Sequence, residues 1–79
     1  MASTVHVSNL SWSTTDDTLR EMFSPYGTIV DSRVDRDPDS GRATGTGSVT
    51  FSEHSEAQVA VGMLDGQHID DSRINASLT

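Results

Sequence analysis

The chain has 79 residues, 33% of them hydrophobic, with no cysteine, no lysine, twelve acids and five arginines, for a formal net charge of −7. A chain this short holds one small domain and leaves little for a second core or a deep catalytic cleft, so residues 1–79 are expected to fold as one unit. The lack of cysteine excludes disulfides and thiolate metal sites, no apolar run reaches membrane-spanning length, and the acid excess sets up a field that repels polyanions.

In "VHVSNL", Val5 and Val7 alternate with His6 and Ser8, which predicts a strand ending in a turn. "STTDDTLREMF" follows as a helix, with N-cap candidates at Thr14 or Thr15, Asp16 and Asp17 near its positive end, and an apolar stripe of Leu19, Met22 and Phe23. "SPYG" stops that helix; "TIVDSRV" reads as a second strand and "RDPDSGR" as a turn-rich connection. In the third strand, "TGTGSVTF", Gly45, Gly47, Val49 and Phe51 share one face, while Thr44, Thr46, Ser48 and Thr50 make the other a run of small hydroxyls. "SEHSEAQVAVGMLDG" predicts a second helix, capped by Ser52 or Ser55 and stopped by Gly66, with Val59, Ala60, Met63 and Leu64 on its buried side. "SRINASL" is the last strand, with Ile74, Ala76 and Leu78 on one face and Asn75 and Ser77 on the other.

The order β-α-β-β-α-β predicts an α+β fold, a ferredoxin-like sandwich in which two helices cover one face of a four-stranded antiparallel sheet. The other face carries no helix, so it must meet water or a partner.

Over roughly Thr4 to Leu78 these residues resemble the RNA recognition motif family, especially its short cold-inducible and glycine-rich RNA-binding type. "VHVSNL" is similar to the family's first-strand hexamer, aliphatic-aromatic-aliphatic-x-Asn-Leu, except at His6, where the family carries an aromatic. "NLSWSTTDDTLREMFSPYG" looks like its loop and first helix, and "DSGRATGTGSVTF" like the loop entering its third strand. The family's third-strand octamer runs basic-Gly-aromatic-Gly/Ala-aromatic-aliphatic-x-aromatic. Gly45, Gly47, Val49 and Phe51 match it; Thr44, Thr46 and Ser48 replace the cation and two aromatics.

The resemblance implies single-stranded RNA as ligand and a sheet platform at His6, Ser8, Thr44, Thr46 and Ser48, with aromatics stacking bases and a cation meeting phosphate. Stacking is worth about 1–3 kcal/mol per base, so three missing rings remove roughly 3–9 kcal/mol, non-additively. A micromolar complex holds only about 8 kcal/mol in total. Weak or lost sheet binding is therefore expected, although the His6 imidazole can still stack. Such a hydroxyl-covered sheet is equally a good soluble surface.

Residual RNA contacts fall to Trp12 in the first loop, Arg33, Arg42 and Asn75. Arg33, Arg36 and Arg42 are the only basic grouping, and Asp31, Asp35, Asp37 and Asp39 interleave with them, so three cations against four acids leave −1. Arg73, flanked by Asp70 and Asp71, is expected to pair locally.

Other chemistries fail on spacing. Asp35, Asp37 and Asp39 have calcium-loop spacing, but Pro38 interrupts it, glycine comes late at Gly41, and Thr46 stands where the closing Glu belongs. His6, His54 and His68 show no metal-ligand spacing, and "GTGSVT" lacks the third glycine and the lysine of a phosphate loop. No nucleophile elbow or acid–base pair against a cleft is present, so no catalytic residue, metal or cofactor is expected. The sequons at Asn9 and Asn75 are read as accidental, because "MASTVHV" is not a signal peptide and a nuclear or cytoplasmic setting is expected. The expected protein is a monomer away from membranes that binds single-stranded RNA weakly. Two alternatives use the same scaffold: a protein-interaction module, on the acidic helical side (Asp16, Asp17, Glu21) or the sheet, or a diverged or engineered scaffold that binds nothing.

Overall fold

The computed structural model describes residues 1–11, 13–69 and 72–78. In chain order these form β1 (Ser3–Ser8), α1 (Asp16–Phe23), a 3-10 turn (Ser24–Tyr26), β2 (Ile29–Arg36), β3 (Ala43–Phe51), α2 (His54–Leu64), β4 (His68–Ile69), β5 (Ser72–Arg73) and β6 (Asn75–Leu78). Four strands make an antiparallel sheet in the order β2-β3-β1-β6, and β4 pairs with β5 as a separate hairpin. The sheet-and-two-helix architecture is the one the element order predicts.

Alternation on β1 and β3 decides which face is buried. Val5 lies opposite Val49, and Val7 opposite Gly47 and Ala76, so one sheet face is apolar. Against it pack Leu19 and Phe23 from α1 and Ala57, Ala60 and Leu64 from α2, all buried. Phe23 and Phe51 meet inside that layer with ring centroids 6.1 Å apart. Gly47 on β3 has no room for a side chain: a Cβ there would stand 2.6 Å from the Arg33 carbonyl oxygen and 3.1 Å from Leu10 Cδ1. Gly45 takes φ +91, conformational space that side chains avoid, and its carbonyl accepts a 2.8 Å bond from Leu10 N.

Thr15 is the cap of α1, its Oγ1 accepting from Thr18 N at 3.2 Å, while Thr14 is fully buried. Asp16 then ties the helix to the sheet edge: its Oδ1 accepts from Val34 N at 2.7 Å, and its carbonyl accepts from Ser32 Oγ at 3.1 Å. An edge strand leaves backbone N–H groups unpaired, and the Asp16 carboxylate occupies one of them.

Three expectations need correction. Neither Ser52 nor Ser55 caps α2; Glu53 is its N-cap, and the Glu56 carboxylate accepts from Glu53 N at 3.2 Å and from Ser52 Oγ at 2.9 Å. A glutamate at the third helical position reaches back to the N-cap N–H, the return half of a capping box. Val59 and Met63 are not core, being 54% and 55% exposed; Ala57 and Ala60 face the sheet, with Val61 partly buried. The run of apolar residues in α2 leaves its inward direction undetermined by periodicity, and the small alanines let the helix sit close on the sheet. The segment Ser72–Leu78 is two strands, because Ile74 N and O bond Gln67 O and Gly66 N at 3.0 and 2.8 Å, which commits Ser72–Arg73 to the hairpin. Ile74 and Ala76 are buried as expected, whereas Leu78 is 36% exposed. The second strand also runs on to Arg36, two residues past its expected end.

Candidate nucleic-acid interface

The helix-free face is built by the residues that alternate with the core. Strand register aligns Ser77, His6, Ser48 and Arg33 across β6, β1, β3 and β2. At the usual strand spacing this row crosses about 14 Å of open sheet. A second row aligns Asn75, Ser8 and Thr46, and a third aligns Thr4, Thr50 and Asp31. His6, Thr44 and Asn75 are exposed; Ser8, Thr46 and Ser48 are half-buried among their neighbours.

Hydroxyls on this surface largely satisfy one another or a neighbouring acid. Thr4 Oγ1 and Thr50 Oγ1 are 3.0 Å apart, and Thr44 Oγ1 and Thr46 Oγ1 are 3.2 Å apart. Thr46 Oγ1 also donates to Asp35 Oδ2 at 2.8 Å. Arg33 Nε meets Asp31 Oδ2 at 2.9 Å, with 72% of the arginine side chain exposed, so the guanidinium sits on the platform beside a counter-charge. Of the four acids that interleave with the arginines, the structure places Asp31 and Asp35 on the face of Arg33. Their odd numbering alongside Arg33 was the available signal.

No described Phe or Tyr ring lies on this face. Phe23 and Phe51 are core, and Tyr26 packs against that core from the 3-10 turn. Trp12 lies outside the described residues, as do Asp70 and Asp71. Arg42 is exposed in the connection between β2 and β3, away from the central row. In that connection the Asp37 carboxylate is turned onto its own loop, accepting from Asp39 N at 2.8 Å and Ser40 N at 3.3 Å. Arg36 Nη1 closes the same loop on the Gly41 carbonyl at 3.3 Å. Arg73 is held locally, Nε donating to Gly66 O at 3.1 Å, while Asn9 Nδ2 reaches Arg73 O at 2.6 Å.

Formal charge is unevenly divided. Asp16, Asp17 and Glu21 against Arg20 leave −2 on α1, and Glu53, Glu56 and Asp65 put −3 on α2 and its caps. The open sheet face carries Asp31 and Asp35 against Arg33, or −1. Most of the −7 is therefore on the helical side, and the platform itself is close to neutral. Chemically the face offers hydrogen-bond donors and acceptors, one imidazole plane and one paired guanidinium.

A four-stranded antiparallel sheet with two helices on one face and an open, polar second face defines a two-layer domain of the split βαβ type. Residues 5–75 match the model of the RNA recognition motif, and the chain belongs to that family. Glycine-rich RNA-binding protein 1 of Mycosarcoma maydis is 45% identical over 78 residues, covering 99% of this chain and 45% of its own. The chloroplastic RNA-binding protein CP29B of Arabidopsis thaliana is 44% identical over 73 residues, covering 92% of this chain and 25% of its own. The chain thus spans less than half the length of these relatives. Among solved structures, RNA binding protein PG1 superposes with a TM-score of 0.94 at 23% identity, over 98% of this chain and 93% of that one, a likeness of fold. A Sxl-lethal protein–RNA complex superposes with a TM-score of 0.90 at 31% identity, over 96% of this chain and 47% of that one.

Proposed function

We propose that this chain binds single-stranded RNA on its open sheet face, and that it does so weakly, by hydrogen bonds and one stacking imidazole. The observation that carries this reading is the central row Ser77–His6–Ser48–Arg33, which has no Phe, Tyr or Trp, a single imidazole and a cation already paired to Asp31. His6 supplies the stacking plane, Arg33 the phosphate contact once it leaves Asp31, and Thr44, Thr46 and Ser48 hydrogen bonds to bases or ribose. Ser8 and Asn75 extend the surface by one row, with Trp12 and Arg42 as the candidate loop contacts. Family membership and RNA-binding relatives support the ligand class; the missing rings support the low affinity. Near-neutrality of the platform keeps the acid excess from closing it to a polyanion.

Amide chemical shifts followed during titration with short mixed-sequence RNAs at low and near-physiological salt test this. Saturable, fast-exchange shifts centred on His6, Thr46 and Ser48 are expected. Silence at both low and near-physiological salt, the latter screening the repulsion of the net −7 charge, would make this a scaffold that does not bind RNA.

A further inference from the structure

Both edges of the four-stranded sheet are met by an aspartate from the end of a helix. The order β2-β3-β1-β6 leaves β2 and β6 each with one side that no strand of the sheet covers. Such an edge presents a row of main-chain N–H and C=O groups, a template for pairing with a further strand. On β2 the register with β3 runs without a shift only from Asp31 to Val34. Asp16, the first residue of α1, lies along that stretch: its Oδ1 accepts from Val34 N at 2.7 Å and its carbonyl from Ser32 Oγ at 3.1 Å.

The β6 edge is closed in the same way at the other end of the sheet. Main chain begins it: Ile74 N donates to Gln67 O at 3.0 Å, and Ile74 O accepts from Gly66 N at 2.8 Å. N–H groups along a strand point alternately to its two sides, so the next donor on this side belongs to Ala76. It donates to Asp65 Oδ1 at 3.0 Å. The carboxylate thus carries on, one step along β6, the row that Gly66 and Gln67 start. Asp65 is the C-cap of α2, where the helix dipole disfavours an acid. Its use is therefore at the strand edge rather than in the helix. A strand arriving at either edge has to displace a carboxylate, and when like edges of two copies meet, the same acid comes from both sides.

We propose that Asp16 and Asp65 are latches that keep the two sheet edges from pairing with a second copy of this chain. The latches act at the rims of the sheet, and this role is independent of the RNA reading.

Sedimentation and amide hydrogen exchange on the whole chain test this. The unmodified chain is expected to stay monomeric up to millimolar concentration. Asp16→Ala opens β2 alone and Asp65→Ala opens β6 alone; like edges pair about a two-fold axis, so each single variant is expected to stop at a dimer. The double alanine variant has two open edges and is expected to grow past dimers. At concentrations where it is still monomeric, exchange at Val34 N and Ala76 N should be about five- to tenfold faster than in the unmodified chain. Asp16→Asn with Asp65→Asn removes the same two charges but keeps an amide oxygen that accepts from those donors, and is expected to remain monomeric. Asp17→Ala with Glu21→Ala, at exposed sites on α1, makes the same charge change away from the edges and is expected to remain monomeric too. A folded double alanine variant that stays monomeric would overturn the proposal. So would association of the asparagine variant or the α1 control to the same degree, which would put general loss of charge in place of the latches. Should the double variant not fold, Asp65→Ala decides alone, and the absence of a dimer from it overturns the proposal.

Discussion

Replacing Thr44 by Arg, Thr46 by Phe and Ser48 by Phe should turn the open face into a base-stacking platform. In the structure, position 48 lies between His6 and Arg33 on the adjacent strands, and position 46 lies opposite Ser8, so two rings there would stand two residues apart on one strand. Each stacked base contributes about 1–3 kcal/mol, so two rings offer roughly 2–6 kcal/mol before non-additivity. The change removes the hydrogen bonds of Thr46 Oγ1 to Asp35 Oδ2, of Thr44 Oγ1 to Asp35 O and between the two threonine hydroxyls, all on the exposed face, each at a cost to folding of about 0.5–1.5 kcal/mol or less. The arginine moves the face from −1 to neutral and adds one phosphate contact, which steepens the dependence of log affinity on log salt by about 0.7. Fluorescence anisotropy with a labelled single-stranded RNA at low salt should therefore show a gain of about tenfold or more, the equivalent of about 1.4 kcal/mol. A parallel variant adds Asp31→Asn and Asp35→Asn. No gain in a folded triple variant would refute the argument from missing rings. A gain that appears only with the two asparagines would make the acids of the platform, rather than its lack of aromatics, the limiting term.

Gly47→Ala should destabilise the domain by about 1–3 kcal/mol, read as a lower urea midpoint, because its Cβ would stand 2.6 Å from a backbone oxygen that cannot rotate away. Glu56→Ala removes the acceptor for Thr28 N, Ser52 Oγ and Glu53 N and should cost about 1–2 kcal/mol, with Glu56→Gln retaining part of this; equal loss in both would implicate charge rather than the hydrogen bonds. Asp16→Ala should cost about 1 kcal/mol and raise hydrogen exchange at Val34 N above that of its β2 neighbours, whereas unchanged exchange there would show that the carboxylate does not protect the edge. Phe23→Ala opens a cavity beside Phe51 and should cost about 3–5 kcal/mol, leaving a marginal domain by thermal melting.

The alternation of Val5 and Val7 with His6 and Ser8, and of Val49 and Phe51 with Ser48 and Thr50, contained the division of the sheet into a buried and an open face, because a strand's side chains have a period of two whatever surrounds them. The replacement of the family's aromatic and basic contact positions was legible for the same reason. Local pattern was silent where several solutions satisfy it equally. The apolar run of α2 admits more than one inward face, and only contact with the sheet chose Ala57 and Ala60 over Val59 and Met63. A carboxylate or a hydroxyl can cap a helix, and only the position of Glu56 beside Thr28 and Ser52 decided between them. The break at Ile74 and the pairing of Arg33 with Asp31 depend on which main chain or charge arrives alongside, which is a long-range outcome. Periodicity within a segment thus determined the layers, whereas the direction each helix turns and the partner each charge meets were decided only when the segments packed together.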